Sequence, residues 1–230
     1  MNPALNGIWE GIQRLGLGAL AHANHHAAFG HAPGVESGSW PELSITQAAH
    51  AAELLIKSRI AQEHPLLIFD QLPKGPEVPG NELELRDLML RGRTVQWSDL
   101  PSRLWATTGL VIPNKDRFEH FGKLRNSLQH FGKMDAADSA GETLNFIFEV
   151  IDPFVNQCWG LFAMDYDEDY EPYLYFVNAL VQREILFLVS PGSATHFKDW
   201  AVDWSSVSPL YRDEMHARVE QMRSKNSQEN

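Results

Sequence analysis

Apolar residues recur at three- and four-residue steps through most of this chain, the period of α-helices that bury one face. The clearest instance is Asn114–Gly132, NKDRFEHFGKLRNSLQHFG. Phe118, Phe121, Leu124, Leu128 and Phe131 form one stripe there. Asn114 is placed to cap the helix, Asp116 suits its positive end, and Gly132 stops it. Pro3–Phe29 reads as a first helix through Leu5, Ile8, Trp9, Ile12, Leu15 and Leu20, with Gly16 and Gly18 weakening its middle. Ile45–Glu63 follows, capped by Ser44 or Thr46, with Ala48, Ala52, Leu55 and Ile56 as its compact face. Leu100–Thr107 starts at Ser98-Asp99 and turns Leu100, Leu104 and Trp105 inward. Ala140–Phe162 is apolar over a wide arc, and Pro153 should kink or split it. Tyr173–Val189 carries apolar residues at helical intervals as far as Ile185 and Leu188, and Tyr211–Arg223 is a charged terminal helix.

The intervening stretches read differently. His31–Glu42 and Pro73–Gly80 are rich in Gly, Pro and polar residues and predict loops. Leu66–Phe69 continues the second helix past Pro65 or packs as a buried turn. Asn81–Leu90 suggests a short strand or turn. Pro191–Pro209 is irregular, with Trp200 and Trp204 as anchors, and Ser224–Asn230 should be disordered. The pattern predicts an all-α helical bundle: one domain over residues 1–230, with 191–230 as a C-terminal extension.

Composition narrows the class. At 230 residues, with 43% hydrophobic and 21% charged residues, the chain suits one globular domain with a sizeable core. No apolar run approaches the ~20 residues of a membrane span, and no signal-peptide pattern opens the chain. The expectation is a cytoplasmic protein without membrane contact. The single cysteine, Cys158, excludes an internal disulfide, fits a reducing compartment and reads as buried packing. A net charge of −11 argues against a general nucleic-acid binder, which would show a basic stripe. A small cleft near Lys123, Arg125 and Lys133 could still be locally positive.

The chemistry concentrates in Arg125-Asn126-Ser127-Leu128-Gln129-His130. At about 100° per residue, Arg125 lies beside the apolar stripe and His130 roughly opposite it. Asn126 and His130 share one polar face as an i, i+4 pair. A guanidinium holds phosphate through a planar fork. An imidazole moves protons near neutrality. A carboxamide fixes a tautomer or touches a phosphate oxygen. Together they suit cleavage of an RNA phosphodiester without a metal: the ribose 2′-hydroxyl is activated, the leaving oxygen is protonated, and a cation stabilises the charged phosphorane. The bare Arg-x4-His spacing recurs at Arg59–His64, where Pro65 follows and the histidine reads as helix-terminal.

The chain resembles the HEPN superfamily, small all-helical domains of toxins, antiviral effectors and CRISPR ribonucleases. The resemblance spans about Ile45–Phe131. It rests on the helix Ala48–Pro73, the segment Thr94–Leu104 and FGKLRNSLQHF in that order, with Arg, a polar residue and His as its hallmark. It implies Arg125, Asn126 and His130 as catalytic residues of an endoribonuclease in toxin or antiviral defence, with RNA as substrate. It also implies a homodimer pooling two Arg/His sets in one cleft, no cofactor, and restraint by a regulatory or antitoxin protein. The related reading is a non-catalytic, partner- or nucleotide-binding subunit of a larger defence complex. One subfamily has Tyr two residues after the His; here Gly132 stands there, so control by tyrosine modification is in doubt.

Other clusters carry weaker chemistry. His22 and His26 are an i, i+4 pair beside His25, geometrically able to hold a metal, yet no Cys or acidic neighbour frames them and they read as a polar helix end. Glu53 and Lys57 read as a surface ion pair, with Glu53 a possible support for the cleft. Asp165, Asp167 and Asp169 imitate half a calcium loop, but Tyr170 replaces its glycine and Phe176 its closing Glu, leaving a solvated loop.

Overall fold

The computed structural model describes residues 5–29, 40–74, 84–132, 138–168, 173–200 and 202–229. Helices carry the fold, which is all-α. The β structure among the described residues is one antiparallel ladder between β1 (Phe69–Gln71) and β2 (Arg93–Thr94). The chain forms two compact units, Met1–Leu17 with Ala51–Ile112, and Gly18–His50 with Pro113–Asn230. Helices α1 (Ile8–Phe29) and α2 (Trp40–Glu63) each contribute residues to both.

In the first unit, Gly16 of α1 allows close packing on α2. A Cβ there would stand 3.0 Å from Leu55 Cγ. Of the two glycines expected to weaken α1, Gly16 is therefore one that seats it, and Ser58 Oγ donates to Trp9 O at 2.9 Å nearby. After α2, His64 accepts from the Leu66 N–H and caps a 3-10 turn, Pro65–Ile68. Leu85–Arg91 is a helix, α3, rather than a strand or turn. Glu84 and Asp87 form a capping box that outweighs the brief leucine alternation; Asn81, Glu82 and Leu83 lie outside the described residues. Helix α4 (Leu100–Thr108) buries Leu100 and Leu104, but Trp105 faces outward at 62% exposure. Lys57 is buried, not superficial: its Nζ donates to Glu53 Oε1 at 2.6 Å and Thr94 Oγ1 at 3.0 Å, tying α2 to β2. Arg103 donates to the Leu67 and Phe69 carbonyls, so it braces the turn and strand.

In the second unit, α5 (Lys115–Phe131) packs on α6 (Ser139–Phe146). Phe121 stacks on Phe146 with centroids 3.8 Å apart and rings nearly parallel. Between α6 and α7 (Asp152–Trp159) the helix widens into a π turn, Ile147–Ile151. The Asp152 N–H reaches the Ile147 carbonyl, and Pro153 supplies no N–H of its own. The expected break at the proline thus takes the form of a wide turn. Trp40–Glu42 already belong to α2, while residues 31–39 of the expected loop lie outside the described residues. Ser44 and Thr46 sit inside that helix and back-bond to Pro41 O and Leu43 O, so neither is its cap.

Helix α8 (Leu174–Val181) is shorter than its apolar run suggests. Glu184 takes a left-handed φ of 51°, and residues 185–190 are neither helix nor strand. Ile185, Phe187 and Val189 are buried alternately while Leu186 is exposed, so a period of two displaces the helical reading. Cys158 is half-buried rather than enclosed. After α9 (Pro191–Thr195), Trp200 packs on Phe187 and Phe197, and Trp204 on Phe197 and His216, which anchors the irregular stretch. Helix α10 (Pro209–Glu229) runs through Ser224–Glu229, where disorder was expected.

Candidate functional site

Helix α5 positions the Arg-Asn-x-x-x-His residues. Asn114, at φ 44°, accepts the Arg117 N–H at 3.2 Å and fixes its start, and Gly132, at φ 62°, ends it. Arg117 bonds Glu142 of α6 and both oxygens of Glu149 on the π turn, so charge pairing adds to the phenylalanine packing. Phe118 and Phe121 are fully buried and Leu124 nearly so. Leu128 is half-buried, and Phe131, expected in the core, is 78% exposed. The apolar stripe therefore leaves its cover before the helix ends.

The motif lies on that uncovered end. Arg125 is half-buried; Asn126 and His130 are exposed. Arg125 Nε and Nη2 donate to Asn126 Oδ1 at 3.3 and 3.1 Å. The His130 ring stands edge-on to Phe131 with centroids 6.4 Å apart. Five helical positions separate Arg125 from His130, about 140° around the axis and about 7.5 Å along it. Asn126, about 40° from His130, draws the guanidinium back towards the histidine side. The structure thus joins Arg125 to Asn126 and leaves His130 one turn on with its imidazole in solvent.

The second Arg-x4-His pair is occupied otherwise. Arg59 bonds Glu63 at 2.8 Å, and His64 is the turn cap described above. The three histidines of α1 diverge as well. His22 meets Glu168 at 3.0 Å, His25 approaches Asp167 at 3.8 Å, and His26 meets Gln47 at 2.8 Å. The acidic stretch is therefore not merely solvated: Asp167 is nearly buried, and Asp165 accepts from Tyr173 and Ser190. Among the described residues no three His, Cys, Asp or Glu side chains are grouped to hold a metal ion. Asp169, Tyr170 and Glu171-Pro172 lie outside the described residues.

Two features had no signal in the sequence. Asp152 is fully buried; Oδ1 accepts the Ala163 N–H at 2.8 Å and Oδ2 the Leu188 N–H at 2.9 Å. Burial pushes its carboxyl up from 3.8 to about 7, against the pull of those two N–H groups. A cavity of about 440 Å³ lies between α10, the end of α7 and residues 188–189. Neither follows from local spacing, because Asp152 meets partners 11 and 36 positions on, and the cavity draws its lining from separate segments.

Fold and site together define an all-α protein with an exposed Arg-Asn-x-x-x-His helix end. No protein-family model, curated protein or solved structure matches the chain. No described helix is long and apolar enough to cross a membrane.

Proposed function

We propose that this chain is a HEPN-like endoribonuclease acting in toxin or antiviral defence as a two-fold dimer. The observation that carries the reading is the paired Arg125–Asn126 group on the uncovered end of α5, with His130 exposed one turn away. Because Arg125 and His130 diverge around the helix, one protomer offers a phosphate either the imidazole or the guanidinium more readily than both. A second copy across a two-fold axis supplies the missing partner. In that cleft one imidazole takes the proton of the ribose 2′-hydroxyl, whose oxygen attacks the adjacent phosphorus. Arg125, oriented by Asn126, stabilises the charged phosphorane. The second imidazole protonates the departing 5′-oxygen, leaving a 2′,3′-cyclic phosphate and a 5′-hydroxyl. Phe131, exposed beside His130, offers a face on which an unpaired base can stack.

Purified wild type should cut single-stranded RNA to products with cyclic phosphate ends in the presence of a chelator. His130→Ala and Arg125→Ala should each slow cleavage by about 100-fold or more. Equal rates for wild type and His130→Ala reject the assignment.

The net charge of −11 favours a second reading, a non-catalytic partner- or nucleotide-binding subunit of a larger defence complex. Expression in a bacterial host separates the two. A nuclease slows growth and Arg125→Ala relieves it; a scaffold shows no such difference.

A further inference from the structure

The cavity beside α10 is built rather than incidental. Phe162, Leu188 and Met222 are among its apolar lining residues, and Arg218, Gln221 and Lys225 among its polar ones. None of its lining residues is on α5. Arg218 is oriented before any ligand arrives: Nε donates to Glu214 at 2.7 Å and Nη1 to the Phe187 carbonyl at 2.9 Å. Its Nη2 has no further partner among the described residues, and the same holds for the Gln221 carboxamide and the Lys225 ammonium. The neighbouring backbone is fixed too, since Asp152 holds the Leu188 N–H. Two cations face one carboxylate, Glu214, so this hollow is locally positive on a chain with net charge −11. Its volume of about 440 Å³ falls in the range of metabolite pockets, which pair apolar walls with a few convergent polar groups.

We infer that this cavity binds a small organic anion, a carboxylate or phosphate monoester on an apolar body. Arg218, Gln221 and Lys225 hold the anionic head, and Phe162, Leu188 and Met222 take the apolar part. The open Nη2 edge and the ammonium meet the anion with charge-assisted hydrogen bonds, while Gln221 donates through its amide. Glu214 keeps Arg218 in place and disfavours a ligand that carries a second anionic group elsewhere on its body.

Calorimetric titration of the full chain with four probes tests this: phenyl phosphate, 3-phenylpropionate, inorganic phosphate and neutral 3-phenylpropanol. At least one organic anion should bind one site per chain with Kd of roughly 1 mM or tighter. The neutral alcohol and inorganic phosphate should bind at least about tenfold more weakly, each lacking half of the recognition. Lys225→Glu reverses a solvent-exposed charge without removing an internal contact, and should weaken the anion about tenfold or more. Met222→Trp fills the cavity and should abolish binding, with circular dichroism confirming that both variants remain helical. No saturable binding of either organic anion, equal binding of the alcohol, or affinity unchanged in both variants would each overturn the inference. Where phenyl phosphate and 3-phenylpropionate differ in affinity, the tighter one identifies the head group. His130→Ala should bind these probes as wild type does, which separates this site from the RNA-cleavage reading.

Discussion

Two glycines two positions apart in α1 do opposite things. At Gly16 an added methyl would press on the branch point of Leu55, whereas at the exposed Gly18 it would meet nothing within 4 Å. Gly18→Ala should raise stability by about 0.5–1 kcal/mol through helix propensity and the unfolded chain. Gly16→Val should lower it, with both measured by urea unfolding; a reversed order would contradict the packing described. Asp152 acts through protons. Its carboxyl is held at about 7 in the folded chain against 3.8. Below about pH 4 both folded and unfolded chains keep it protonated. Between about pH 4 and 7 only the unfolded chain ionises, so stability should fall as pH rises and level off above that window. The fall is on the order of 4 kcal/mol, from about three units at roughly 1.4 kcal/mol each. Asp152→Asn removes that slope and leaves one N–H without its acceptor. Its melting temperature should be lower than wild type at pH 5 and should not show this loss towards pH 7. Equal slopes for both proteins would refute the assignment.

Helix α5 shows how much a local stretch can specify. Asn114 accepts from Arg117 N and donates through Nδ2 to Glu149 at 2.6 Å while holding a left-handed φ. Asn114→Ala should cost about 1 kcal/mol or more, since it loses the cap and keeps the strain. Asn114→Gly should cost less, because glycine adopts that φ freely. Alanine matching or exceeding glycine in a denaturation series would count against the cap. Both ends of α5 were legible because caps and stops act within a few residues. The stretch after Val181 was not, because ILFLV satisfies a buried strand and a helix equally until Tyr211, Arg218 and Asp152 arrive from elsewhere in the chain. Helix α3 was missed because Glu84 and Asp87 act as a reciprocal cap on a segment whose leucines alternate only briefly. The candidate site was legible as residue types on one helix. That Asn126 grips Arg125, and that Phe131 stands outside the core, depends on where α6 and the π turn cease to cover α5.

For the whole molecule, net charge and stoichiometry frame the tests. An acidic body disfavours lingering contact with RNA, so a cleaving site of this kind would turn over with weak substrate affinity. The dimer reading makes a sharper prediction. Sedimentation at micromolar concentration should give a dimer. Co-expressing wild type with an excess of His130→Ala should lower cleavage below what dilution alone gives, because a mixed dimer holds one imidazole where the reaction uses two. A strict monomer, or a mixture that loses rate only by dilution, would exclude a shared cleft.

The ILFLV segment also has a bearing on how the protein fails. The Tyr211 hydroxyl and Arg218 occupy the Ile185 and Phe187 carbonyls from α10, and Asp152 takes the Leu188 N–H. An uncharged, strongly β-prone stretch thus has ladder positions along its backbone stoppered by side chains, which guards it against intermolecular pairing. Shortening the chain at Ser206 would pull out two of those stoppers. Such a fragment should precipitate as thioflavin-positive fibrils, with Leu186→Lys restoring its solubility.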